Sequence, residues 1–374
     1  MMKRITIAFD SFKGSLSSRE AAEAFAHGWQ EAHPECEVRK AYIADGGEGM
    51  TEAIVESLAG EYVEVEVTGP LGLPVVARYG VIHGSVAVVE LAAAAGLTLV
   101  AEGERNPLVT TTYGVGEMIM DALRRGCRKV ILGLGGSATN DGGCGMMRAL
   151  GYRFYGANNE ELTATIDLLE RVALVDDSEV SSLVRDMELR VAVDVDNPLY
   201  GERGAAAIFA QQKGADEAMV ERLDRALRHY ASVVGDEWSN MAGAGAAGGV
   251  GYGVMALLGA VPQSGIGLVL DTIDFKTMIA NTDLVITGEG RIDSQTLMGK
   301  APSGVLRYAK EQNIPCIAVG GGVKWSDELR QSDFKKIYAA TPHSMPLTEA
   351  MCSTTAYRNL RSAAALIAEE WSTL

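Results

Sequence analysis

Four segments of this 374-residue chain concentrate the residue types that handle anions and protons. DSFKGS at 10–15 ends an apolar run with an acid, Asp10, three residues before a cation, Lys13. There Lys13 can neutralise an anion, and Ser11 or Ser15 can donate hydrogen bonds. A capped turn into a helix explains the same residues equally well. DGGEG at 45–49 sets Asp45 and Glu48 either side of two glycines. Such acids suit magnesium beside phosphates, because that ion takes one or two carboxylates plus phosphate oxygens; the alternative is a tight turn with solvated acids. GLGGSATNDGG at 133–143 is the densest small-polar cluster in the chain. A loop of this kind folds backbone N–H groups around a phosphate, with Gly135, Gly136, Ser137, Thr139 and Asn140 as contacts and Asp141 near a metal. A connecting turn needs only a few such residues. GEGRIDSQTLMGKAPSG at 288–304 interleaves Glu289, Arg291, Asp293 and Lys300 and leads into a helix with Pro302 in its first turn. It is not a Walker A loop, since Ser294 replaces the first glycine and Ala301 the hydroxyl residue. A helix amino end still attracts phosphate.

Weaker features are Arg105 with the hydroxyls of RNPLVTTTYG, Asp194 and Asp196 at a strand end, Lys213 in QQKGAD, and Glu90 after an apolar strand. Taken singly, each reads as structural. The five histidines are scattered and no G-x-S-x-G elbow occurs, so neither a histidine mechanism nor a serine hydrolase is indicated.

The elements that must carry these segments follow from apolar periodicity. Strands are expected at 3–9 and 36–43, with helices at 17–32, capped by Ser17 or Ser18, and at 50–59. Strand–helix alternation with polar residues after each strand is the pattern of an open parallel sheet, in which ligands sit beyond the carboxyl ends of the strands. Segments 61–68, 74–82 and 86–91 then read as an antiparallel meander. Further strands are expected at 129–136 and 188–195, and a helix at 113–125. Alternation returns with strands at 283–290, 314–322 and 335–341 and helices at 302–312 and 347–370. The expected architecture is α/β: a discontinuous domain, 1–68 plus 280–374, with an inserted α/β domain, 69–279, and the active site in the cleft between them.

Composition bounds the partners. Hydrophobic residues make up 47% of the chain and charged residues 22%, enough for a sizeable core and for two domains. A formal net charge of −16 disfavours nucleic acid and anionic lipid, so an anion site must be made locally positive by placed cations and backbone N–H groups. Five cysteines without paired spacing fit reduced thiols and a cytoplasmic location. Residues 238–270 carry no charge but hold nine glycines and Pro262, so they read as glycine-rich loops and a buried helix rather than a membrane span.

Taken together, DSFKGS, ADGGEG, RNPLVTTTYGVGE, GLGGSATNDGGCGM, DVDNPLYGERGAA, QKGAD, GAGAAGG and GEGRIDSQTLMGKAP resemble, in type and order, the bacterial-type glycerate kinase (glycerate 2-kinase) family over residues 4–322. Met50, Phe9 and Gln211 depart from the usual Thr, Pro and Pro of that pattern. The resemblance implies ATP-dependent phosphorylation of glycerate to 2-phosphoglycerate, a flavodoxin-like domain, and an inserted domain resembling the restriction-endonuclease fold. With ATP and Mg2+ as cofactors, the 133–143 loop, Glu289 and Lys300 are expected to hold the nucleotide, and Asp45, Glu48 or Asp194 the metal. Ser11 and Lys13, Arg105 or Arg291 would meet glycerate. Asp194, then Asp10, is the expected base. Monomer or homodimer, 2- or 3-hydroxyl and a related hydroxy acid remain alternatives, as do a dinucleotide-dependent dehydrogenase and a non-catalytic anion-binding protein.

Overall fold

The computed structural model describes residues 4–371. The chain opens with two strands, β1 (Arg4–Phe9) and β2 (Glu37–Tyr42), joined by the helix Ser18–Ala32. Ser17 caps this helix: its Oγ accepts from the Glu20 N–H, while the Glu20 carboxylate accepts from the Ser17 N–H. Ser18 works differently. Its hydroxyl donates to the Phe9 carbonyl and accepts from the Ile43 N–H, tying together the ends of β1 and β2, where Asp10 and Asp45 follow.

The chain next builds β3 (Glu61–Thr68), β4 (Pro74–Ile82), β5 (Val86–Glu90) and β6 (Lys129–Gly133), then the hairpin β7 (Arg153–Gly156) and β8 (Val172–Asp176), then β9 (Glu188–Ala192) and β10 (Pro262–Gln263). It finishes with β11 (Leu284–Ile292), β12 (Cys316–Val323) and β13 (Ile337–Ala339).

Two compact units result. The first comprises residues 1–45, 52–59 and 266–374, the second residues 46–51 and 60–265. In the first, all five strands are parallel in the order β2-β1-β11-β12-β13. Counted along the chain, that is the 2-1-3-4-5 order of flavodoxin-like sheets. Ile5, Ile7, Phe9, Leu284, Ile286, Ile317 and Val319 pack on Phe25 and Trp29 in its core. The helix Ser18–Ala32 approaches Ser353–Trp371 so closely that a Cβ at Gly28 would lie 1.9 Å from the Arg361 carbonyl oxygen. The expected helix over 347–370 is divided into Leu347–Ala350 and Ser353–Trp371. The Ser353-Thr354-Thr355 run suits a helix start better than an interior.

In the second unit the sheet is mixed, ordered β10-β9-β6-β5-β4-β3. β3, β4 and β5 form the antiparallel meander, and β6, β9 and β10 extend it in parallel. β3 pairs with β4 along its whole length. It therefore lies with the second sheet, although 61–68 was expected to close the first domain; burial of one face against the meander outweighs its nearness in sequence to β2. The helix Glu217–Val234, capped by Asp216, and the β7–β8 hairpin complete this unit. Residues 238–270 form glycine-rich turns and the helices Ala246–Leu258 and Gly265–Thr272. Among the described residues no helix is long and apolar enough to cross a membrane.

Candidate active site

The residues singled out for chemistry gather into two groups, one on each unit. On the first unit they surround a pocket of about 610 Å³ beyond the carboxyl ends of β1, β11 and β12. Ser11, Lys13, Glu289, Arg291, Asp293 and Lys300 line one side, and Met345, Leu347, Met351 and Leu360 the other. Lys13 pairs with Asp45 at 3.3 Å, Lys300 lies 3.6 Å from Glu289, and Arg291 lies 3.7 Å from Asp293. Lys13 and Arg291 are largely exposed, so these pairs contribute little stability and leave both cations available to an incoming anion. Glu289 is buried and accepts from the Thr296 hydroxyl at 2.7 Å; burial raises its carboxyl above the usual range.

Asp10 sits beside this pocket, 4% exposed. Burial, then the charge of Asp45, pushes its carboxyl up to about 7. Its Oδ1 accepts from the Ser11 N–H at 2.6 Å. A carboxyl poised there is suited to accept a proton near neutral pH.

On the second unit a pocket of about 370 Å³ is walled by Gly46, Gly47, Gly135 and Gly136, with Ser137, Asp194, Gln212 and Lys213 as its polar residues. The glycines are required. A Cβ at Gly135 would lie 2.8 Å from the Gly47 Cα, and one at Gly248, which has φ +71°, would lie 2.1 Å from the Thr139 carbonyl oxygen. Ala247, Gly248 and Gly249 all adopt left-handed backbone, pressing GAGAAGG against the 133–143 loop. Asp194 is exposed, and its Oδ1 accepts from the Gly265 N–H at 3.0 Å.

Not every residue of the glycine loop faces this pocket. Gly135, Gly136 and Ser137 do; Thr139 and Asn140 are wholly buried behind it, and the Thr139 Oγ1 and the Asn140 side-chain amide have no hydrogen-bond partner among the described residues. Asp141, expected near a metal, is also wholly buried. It accepts from the Thr112 N–H and hydroxyl and from the N–H groups of Gly143 and Gly145. Its oxygens hold the loop together rather than a ligand. Arg105 is half-buried on the same unit and lines neither pocket. Asp196 forms an exposed pair with Arg203, and Glu90 accepts from the N–H groups of Thr51 and Gly49. Glu48 is exposed beside Gly47.

Lys213 is the residue whose importance the sequence understated. It is 2% exposed, and its ammonium donates to the Ser137 Oγ at 2.9 Å and the Thr139 carbonyl at 2.6 Å. The available signal was a lone cation in QQKGAD, between two glutamines and a glycine at φ +98°.

Among the described residues no three histidine, cysteine or acidic side chains cluster to hold a metal. Magnesium does not need such a cage, because it keeps waters and phosphate oxygens as ligands. The exposed carboxylates of Glu48 and Asp194 fit that donor set.

The parallel sheet, the strand-end pockets and their cations define an α/β protein equipped to bind small anions. The model of the glycerate kinase family matches residues 5–372. A relative from Bacillus subtilis (strain 168), named glycerate kinase, is 44% identical over 97% of each chain. One from Escherichia coli (strain K12), named glycerate 2-kinase, is 45% identical over 86% of this chain and 85% of its own. A crystal structure described as a glycerate kinase 2 from Salmonella typhimurium LT2 superposes with TM-score 0.90 at 42% identity, covering 100% of this chain and 99% of that one. This chain belongs to the glycerate kinase family.

Proposed function

We propose that this protein transfers the γ-phosphoryl group of ATP to the 2-hydroxyl of glycerate, giving ADP and 2-phosphoglycerate. The observation that carries this reading is the glycine-walled pocket with Lys213 at its base, in a chain related to proteins named glycerate kinase and glycerate 2-kinase. Phosphoryl transfer asks a protein for positioning and charge neutralisation more than for covalent chemistry. The backbone at Gly135 and Gly136, with Ser137, receives the nucleotide phosphates. Lys13 and Arg291 meet the glycerate carboxylate, Arg291 with the option of a bidentate contact. Asp10 takes the hydroxyl proton; its burial sets it ahead of Asp194, the first choice on sequence grounds. Asp194 and Glu48 would hold magnesium, which when bound neutralises charge on the phosphates. Lys300 and Glu289, expected with the phosphate loop, belong to the first unit's pocket, where Lys300 adds positive charge. The three-stranded meander continued by parallel strands supports a restriction-endonuclease type of sheet for the second unit.

A second reading exchanges the two ligands, because the Met345, Leu347, Met351 and Leu360 wall would suit a purine. Kinetics of an Arg291→Ala variant separate them: a rise in KM for glycerate alone supports the first assignment, and a rise for ATP alone the second. The function itself is tested by ADP release from Mg-ATP with and without D-glycerate, coupled through enolase and pyruvate kinase. Glycerate-dependent ADP with an enolase-competent product supports 2-phosphorylation; ADP without that product points to the 3-hydroxyl. No glycerate-dependent ADP refutes the proposal.

A further inference from the structure

Lys213 is buried without a counter-ion. Its Nζ has two partners, a neutral hydroxyl and a carbonyl, and no carboxylate pairs with it among the described residues. The acid whose charge it feels, Asp141, has its oxygens engaged by Thr112, Gly143 and Gly145. Asp194 lines the same pocket but is exposed, with one oxygen on the Gly265 N–H. The nearby Arg105, whose backbone abuts Gly214, can only add positive charge. Burying an ammonium without an anion is costly, and such a group sheds its proton to avoid the cost. An ammonium carries three N–H bonds, and the protein uses two here. The third is left for the pocket that Lys213 lines, whose wall is backbone at Gly135 and Gly136.

We propose that a phosphate group of the bound nucleotide is the counter-ion of Lys213, and that Lys213 takes up a proton from solvent when this phosphate binds. The inference rests on the reading of the glycine pocket as the phosphate site. In the free protein, burial pulls the Lys213 amine down to about 7, so at pH 8 it is largely neutral. Binding then proceeds as neutral amine plus solvent proton plus phosphate anion, giving ammonium paired with phosphate. No bond within the nucleotide changes. Uptake therefore approaches about one proton at pH 8 and falls to about a tenth at pH 6, and affinity weakens by up to about tenfold per pH unit above 7.

The test is isothermal titration calorimetry of Mg-ADP into the full-length protein, in buffers of different ionisation enthalpy, at pH 6 and pH 8. The expected result is uptake of about 0.9 proton at pH 8, little at pH 6, and none in Lys213→Arg, whose guanidinium is always charged. Lys213→Met is expected to lose affinity at least tenfold. Circular dichroism of both variants separates this loss from unfolding. Mg-ADP binding to wild type at pH 8 without proton uptake would overturn the proposal. So would uptake driven by D-glycerate in place of Mg-ADP, or undiminished uptake in the Lys213→Arg variant. Glycerate-dependent ADP release in the same preparation tells failure of this inference from failure of the kinase reading.

Discussion

Asp10→Asn should make the protein more stable and inactive at once. The Asp10 carboxyl is 4% exposed and pushed up to about 7 by burial and by Asp45, against an ordinary aspartate near 3.9. The sign follows from linkage. Below about pH 4 the group is protonated in both folded and unfolded chains and costs nothing. Between about pH 4 and 7 the unfolded chain gains by ionising while the folded one does not, so stability falls by about 1.4 kcal/mol per pH unit. Above 7 the deficit levels off at roughly 4 kcal/mol. An asparagine never ionises, and its carbonyl oxygen can keep the bond from the Ser11 N–H. The D10N variant should therefore gain little at pH 4 and up to roughly 4 kcal/mol at pH 8, while kcat falls at least about 100-fold through loss of the base. The assay is denaturant unfolding followed by tryptophan fluorescence from pH 4 to 9. Three of the four tryptophans, Trp29, Trp325 and Trp371, lie on the same unit as Asp10. A variant that is less stable than wild type at pH 8, or whose advantage does not change with pH, would refute the reasoning.

Three further outcomes are expected. Gly248→Ala puts a side chain on left-handed backbone and a Cβ 2.1 Å from the Thr139 carbonyl oxygen; stability should drop by about 2–4 kcal/mol, read from the unfolding midpoint. Asp141→Ala leaves four donors without their acceptor in a wholly buried site. A loss of about 3 kcal/mol or more, with amide exchange accelerated in the 133–146 loop, is expected. Lys13→Met removes one of two exposed cations on the first unit's pocket; KM for glycerate should rise about tenfold with the ATP KM unchanged, by steady-state kinetics.

Much of this arrangement was legible locally. The helix at 17–32 and the strands at 61–68 and 74–82 lie where their periodicity puts them, because burial of one face repeats every 3.6 or two residues whatever the element packs against. Local capping fixed the start of the first helix, although only the structure separates the capping role of Ser17 from the strand-bridging role of Ser18. The Gly-rich loops were visible because chain that must turn sharply and admit close backbone contact needs residues without a Cβ.

What stayed hidden depends on residues far apart in the chain. Spacing alone could not tell that Asp141 spends its oxygens on Thr112, Gly143 and Gly145, or that Thr139 and Asn140 turn behind the loop while Ser137 faces the pocket. Nor could it show that Lys213 reaches Ser137, 76 positions earlier. The sequence by itself determined the elements, their order and the stock of chemical groups, because these follow from local sterics and apolar periodicity. The tertiary structure alone decided which groups are buried, paired or left without a counter-ion, because desolvation and charge pairing depend on neighbours that only folding supplies.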